Sequence, residues 1–274
     1  MDQRPIGVFD SGLGGLTALR ELRKLLPGED LIYFGDTGRV PYGGRSREII
    51  LRYARQDVNF LRSFDLKAIV VACGTVSANA LQELKEENDL PIFGVVGPAA
   101  RAAARATRSG KIGLIGTSAS IRTGAYERAI APLRPDAQVT ALACPLFVPL
   151  VENGRFRPGD PVAELVTAEY LTPLKEAGVD TLVLGCTHYP LLREVIGAFM
   201  GPEVALVDAG ARCAGFVAEK LAALDLLSGS REARPPRLFV SDATGDFARL
   251  ASLFLGEDVT HAVEQVDLSA YPSL

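Results

Sequence analysis

The chain has 274 residues, 48% hydrophobic and 23% charged, an ordinary globular composition with length enough for one large or two medium domains. With 29 basic against 33 acidic residues and a net charge of −4, a generally basic, nucleic-acid-coating surface is excluded, though a local patch is not. No apolar run reaches the length of a bilayer span, and Met1-Asp2-Gln3-Arg4-Pro5 leads straight into a strand pattern without a signal peptide, so the expected compartment is the cytosol, where thiols stay reduced.

Strands are expected at 6–9, 31–34, 68–72, 92–96, 112–115, 139–143, 181–184, 204–207 and 238–240. Most lack polar alternation, as strands buried on both faces do. Helical patterns fall between them, at 46–64, 77–87, 123–133 and 164–176. This βαβα rhythm predicts an α/β fold with parallel sheets covered by helices. Residues 228–237, rich in Ser, Gly, Arg and Pro, read as an exposed loop before one last strand and helix. Ile6-Gly7-Val8-Phe9-Asp10-Ser11-Gly12 is echoed by Ile112-Gly113-Leu114-Ile115-Gly116-Thr117-Ser118. Ala68-Ile69-Val70-Val71-Ala72-Cys73-Gly74-Thr75 is echoed, at a similar offset, by Thr181-Leu182-Val183-Leu184-Gly185-Cys186-Thr187-His188. The two echoes suggest two α/β halves of like topology.

Cysteines number 4 and histidines 2, without Cys-x-x-Cys or other metal spacing, so neither a structural zinc site nor a thiol redox motif is expected. Trp is absent and aromatics are 7%, which gives no platform for stacking bases. Gly12-x-Gly14 follows a strand, but a dinucleotide fingerprint wants a third glycine where Thr17 stands, and Asp10 would repel a pyrophosphate. Cys144 and Cys213 read as small buried hydrophobes, and His261 as structural. Cys73 and Cys186 differ. Each sits at a strand-to-helix junction, close to a threonine hydroxyl and to a helix N-terminus whose partial positive charge favours the thiolate. In an open α/β sheet ligands bind beyond the carboxyl ends of the strands. Two thiols brought there from two halves can face one substrate, one as base and the other as acid, which is what racemisation at an α-carbon requires. A thiolate is a modest base for so weak an acid, so such a site must exclude water and stabilise the carbanion.

Auxiliary groups stand nearby. Asp10 can assist one sulfur, bind a substrate ammonium, or simply cap a helix. His188, two residues past Cys186, suits proton exchange with it or a hydrogen-bonded place at a helix start. Glu152 ends an apolar run; taken alone, an exposed loop carboxylate is its better reading. Tyr42-Gly43-Gly44 offers a flexible loop with N–H groups for a carboxylate.

Over nearly its whole length the chain resembles the glutamate racemases of bacterial cell-wall synthesis. The stretches that carry the resemblance are Gly7-Val8-Phe9-Asp10-Ser11-Gly12-Leu13-Gly14-Gly15-Leu16-Thr17, Tyr33-Phe34-Gly35-Asp36-Thr37 with Pro41-Tyr42-Gly43, Cys144-Pro145-Leu146-Phe147-Val148-Pro149-Leu150-Val151-Glu152, and Leu184-Gly185-Cys186-Thr187-His188-Tyr189-Pro190-Leu191. The resemblance implies a racemase that interconverts L- and D-glutamate for peptidoglycan without pyridoxal phosphate, metal or other cofactor. Cys73 would take the α-proton from D-glutamate and Cys186 from L-glutamate. Asp10 would assist Cys73, and His188 with Glu152 would assist Cys186. Substrate contacts would come from Asp10, Ser11, Tyr42, Gly43, Gly74, Thr75, Thr117, Ser120, Thr187 and His188. It also implies two similar parallel-sheet α/β domains in a pseudo-two-fold relation, residues 1–97 with 208–274 and residues 98–207, with the active site in the cleft between them. A homodimer is the implied assembly. Some family members inhibit DNA gyrase, which would be a secondary partner here. Two positions depart from the family pattern. Gly74 stands where Asn is usual and offers only its backbone, so Asn79 or another group must compensate, or affinity falls. Ser120 replaces Thr and keeps the hydroxyl. The alternatives within the fold are racemases of aspartate, of a broader amino-acid set, or of hydantoins.

Overall fold

Strands apolar on both faces need cover on both sides, and the chain supplies it by alternating strand and helix. The computed structural model describes residues 1–242, 247–259 and 263–272; His261 lies outside the described residues. The strands are β1 (Ile6–Asp10), β2 (Leu31–Gly35), β3 (Ala68–Val71), β4 (Ile92–Gly94), β5 (Lys111–Gly116), β6 (Gln138–Ala143), β7 (Thr181–Leu184), β8 (Ala205–Asp208), β9 (Arg237–Val240) and β10 (Val263–Gln265). They form two sheets, ordered β10-β9-β2-β1-β3-β4 and β6-β5-β7-β8, with every pairing parallel.

Within this arrangement the order β2-β1-β3-β4 recurs as β6-β5-β7-β8. The sequence echo therefore has a structural counterpart: β1 matches β5, and β3 matches β7. Phe9 of β1 lies opposite Val71 of β3, as Ile115 of β5 lies opposite Leu184 of β7. In each sheet the central strand has neighbours on both sides, which makes its carboxyl end the expected ligand position.

The helix Ala209–Ala223 packs against both Leu16–Leu25 and Val96–Ala106. One buried cluster consequently runs through both halves, including Val8, Leu19, Val70, Ala100, Leu114, Val183 and Val217. A second covers the other face of the first sheet, with Phe9, Phe34, Ile50, Phe60, Val71 and Phe239. Lys67 is buried at the start of β3. It pairs with Glu29 and donates to the Asp2 carbonyl (2.8 Å), while Glu29 accepts from the Ser228 amide (2.8 Å). A buried charge is tolerated only with such full pairing.

Local differences from the sequence reading are informative. The single helix expected at 77–87 is two short ones, Gly74–Asn79 and Leu81–Glu86, separated at Ala80 with φ −134°. The first begins directly after Cys73. Another helix, Ala125–Ile130, starts later than expected because Gly124 adopts a left-handed conformation at φ 61°. Edge strand β10 was not expected, since Val263-Glu264-Gln265 has no apolar run to mark it. No helix among the described residues is long and apolar enough to cross a membrane.

Candidate active site

Equivalent strands β3 and β7 deliver Cys73 and Cys186 to one cavity of about 460 Å³. From the first sheet's side it is lined by Ser11, Gly12, residues 40–44, Cys73, Gly74 and Thr75. From the second come Thr117, Ser118, Pro145, Val148, Pro149, Glu152, Cys186, Thr187 and His188.

Cys73 caps the helix Gly74–Asn79. Its sulfur accepts from the Val76 amide (3.5 Å), and its thiol donates to Ser11 Oγ (3.4 Å). Burial, reinforced by the nearby Asp10 carboxylate, pushes the thiol up to about 12. The helix N-terminus favours the thiolate at Cys73 through the Val76 amide, but desolvation and a like charge outweigh a helix of only 6 residues.

Cys186 stands differently. Beyond it the chain enters a 3₁₀ turn, Tyr189–Leu192, and only then the helix Arg193–Met200. The Cys186 sulfur lies 3.9 Å from His188 Nδ1, and His188 Nε2 lies 3.0 Å from Glu152 Oε1. Burial opposes charge on His188, but the hydrogen bonds with Cys186 and Glu152 win and raise it to about 10. His188 is 7% exposed, and its ring packs edge-on against Phe254 at 5.5 Å. Glu152 is the last residue of the helix Phe147–Glu152 rather than a free loop carboxylate.

Asp10 is 1% exposed and does not line the cavity. Its carboxylate accepts from the Gly12 amide (3.0 Å) and from Thr187 Oγ1 (3.4 Å), so it joins the two halves. Burial raises its pKa, against the pull of His188. Gly14 explains the glycine-rich loop. A Cβ there would run into Thr187 Oγ1 and the His188 ring, so the loop is glycine because the second half packs on it.

The remaining expected contacts divide. Thr75 and Thr117 share a hydrogen bond (2.9 Å) on the cavity wall, and Thr117 bonds Ser120 in turn (2.9 Å). Ser120 itself is buried behind that wall. Tyr42 lines the cavity, yet its hydroxyl turns away to Asp36 and Asp57. Gly43 accepts from the Ala119 amide (2.8 Å). Asn79 does not line the cavity: its amide donates to the carbonyls of Thr75 (2.8 Å) and Ala119 (3.3 Å). Gly74 is glycine for a steric reason. A Cβ would strike the Gly185 carbonyl oxygen, just before Cys186. Among the described residues no group of three or more His, Cys, Asp or Glu could hold a metal ion.

Sequence reading did not single out Val148 and Pro149 as wall residues, nor Asp36, Arg39 and Asp57 beneath Tyr42. The readable signal for the last was a carboxylate at 57 within the apolar stripe Ile50, Ala54, Val58 and Leu61.

The family model described as Asp/Glu/Hydantoin racemase matches residues 20–214. The chain belongs to the Asp/Glu/hydantoin racemase family. It is accordingly an isomerase of the racemase type. A glutamate racemase of Geobacter metallireducens is 50% identical, the alignment covering 98% of this chain and 99% of that one. The crystal structure of glutamate racemase from Francisella tularensis in complex with D-glutamate superposes with a TM-score of 0.91 at 35% identity, covering 99% of this chain and 100% of that one. A glutamate racemase isoform from Bacillus anthracis gives 0.92 at 38% identity, covering 98% and 99%.

Proposed function

We propose that the chain interconverts L- and D-glutamate by proton transfer between two cysteines, and that its D-glutamate serves peptidoglycan synthesis. The observation that carries this reading is the pair of thiols, from equivalent strand ends, opening on one cavity with different auxiliary groups. The near-full-length similarity to glutamate racemases, one of them bound to D-glutamate, supports the substrate.

With L-glutamate the Cys186 sulfur takes the α-proton. The His188 imidazolium, held by Glu152, stabilises the negative sulfur before the transfer and helps carry the proton afterwards. Cys73, which keeps its proton at neutral pH, gives it to the opposite face of the carbanion. One C–H bond breaks, another forms, and the configuration inverts. D-glutamate runs the same steps backwards, with Cys73 as base and Asp10 nearby. Backbone N–H groups of residues 43–44 and the hydroxyls of Thr75, Thr117 and Thr187 would hold the substrate carboxylates. In this reading the two lobes are residues 1–97 with 208–274 and residues 98–207.

Circular dichroism with L-glutamate, D-glutamate and L-aspartate, without added cofactor, tests the proposal. Optical rotation should be lost with the glutamates alone. Cys73→Ala and Cys186→Ala should each abolish racemisation. Wild-type rates in either variant would overturn the two-cysteine scheme, and equal turnover of aspartate would overturn the substrate.

A further inference from the structure

Beneath the cavity lies a buried ionic cluster that the reaction scheme does not use. The helix Arg47–Leu61 turns its apolar stripe toward the first sheet, and Asp57 lies in that stripe, fully buried. Asp36, just past β2, is buried too. Arg39 bridges them: Nε lies 2.6 Å from Asp36 Oδ2, and Nη2 lies 2.9 Å from Asp57 Oδ1. The Tyr42 hydroxyl touches the same two carboxyls, closely at Asp36 and at 3.3 Å from Asp57 Oδ2. Ser241 Oγ donates to Asp36 Oδ1 (2.7 Å), and Gln56 bonds Arg39.

One guanidinium faces two buried carboxyls. A second uncompensated negative charge there is costly, so the cluster retains a proton. Burial, the charge of Asp36, and more remotely that of Asp10 hold Asp57 well above the usual carboxylate range, despite Arg39. Asp36 is reached by Arg39, Ser241 and Tyr42 together. The Tyr42 O–H donates to Asp36, with Asp57 Oδ2 as a second, longer acceptor. Tyr42 leads directly into Gly43 and Gly44 on the cavity wall, and the Gly43 carbonyl accepts from Ala119 in the other half.

We propose that Asp57 is a positioning residue: with Arg39 and Asp36 it fixes Tyr42, and thereby holds residues 40–44 across the cavity in contact with the second half. It touches no substrate. Its effect on turnover rests on the glutamate reading above, whereas its effect on the order of the loop does not.

The experiment pairs steady-state kinetics on L-glutamate with amide hydrogen exchange over residues 42–45, in wild type, Asp57→Asn and Asp57→Val. Asparagine can still accept from Tyr42 through Oδ1, so Asp57→Asn should keep KM within about twofold and the amides protected. Valine cannot, so Asp57→Val should raise KM roughly tenfold, hold kcat within about threefold, and speed exchange in that segment roughly tenfold. Tyr42→Phe, which keeps the ring, should reproduce those changes and add nothing in combination with Asp57→Val. It also carries the test if the valine variant fails to fold. Unchanged KM and exchange in Asp57→Val or Tyr42→Phe would overturn the proposal, as would equal defects in Asp57→Asn and Asp57→Val. If wild type does not racemise glutamate, the exchange measurements still decide the role of Asp57.

Discussion

The two cysteines have unlike surroundings, and the difference lies in which charges face each sulfur. Cys73 sees Asp10, a carboxylate that discourages its thiolate, while Cys186 sees His188, a cation backed by Glu152. In the proposed scheme, removing the imidazole should therefore hurt more when Cys186 is the base. His188→Asn is expected to lower kcat with L-glutamate by roughly 10²–10⁴-fold, the usual span for loss of a general acid–base group. The same residue links stability to pH. Its pKa is raised from 6.5 to about 10 on folding, so its stabilising contribution is complete below about 6.5 and is lost as pH rises through about 10. Thermal midpoints measured from pH 6 to 10 should fall in wild type and fall less in His188→Asn. Parallel curves would show that the imidazole does not carry the charge assigned to it.

At the scale of elements, the site is made by strand ends, and these are what the sequence shows best. Uninterrupted runs such as Ile69-Val70-Val71 and Leu182-Val183-Leu184 mark buried parallel strands, and the cysteine after each marks its carboxyl end. What periodicity does not carry is contact between elements distant in sequence. Nothing near Glu152 announces His188, which lies 36 residues away, and nothing near Asp36 announces Asp57. Gly74 is a further case. Read along the chain it is a lost side chain; in space it is where the β3 and β7 ends meet, with the Gly185 carbonyl filling the place of a Cβ. Because the opposing atom is backbone, relief must come by moving a strand end. Gly74→Ala should cost about 1–3 kcal/mol, the usual penalty of overpacking, and should lower kcat by displacing Cys186 relative to Cys73. Thermal denaturation together with racemisation rates measures both, and an alanine variant of wild-type stability and rate would remove the steric argument.

For the molecule as a whole, the last part of the chain returns to complete the first sheet. β9 pairs with β2, and β10 pairs with β9, so the β2 edge is covered by residues more than 200 positions later in the chain. Long-range pairing of this kind protects an edge that would otherwise invite association. It is fastened by side chains: Phe239 stacks edge-on against Phe60 at 5.4 Å and meets Phe64 at 5.4 Å, while Gln56 donates to the Tyr271 carbonyl (3.1 Å). Phe239 belongs to the cluster that also holds Phe9, Ile50 and Val71, behind the strands leading to Asp10 and Cys73. Phe239→Ala should thus act on the whole first half rather than on a tail. The expected cost is about 3–5 kcal/mol, as for other buried aromatic truncations. At roughly 2–4 °C per kcal/mol for a chain of this size, the thermal midpoint should drop by about 6–20 °C. Arg231→Ala, in the exposed loop before β9, is the control and should leave the midpoint within about 1–2 °C, since surface changes are usually within ±0.5 kcal/mol. A Phe239→Ala midpoint equal to that of the control would mean that the C-terminal strands dock on a sheet that stands without them.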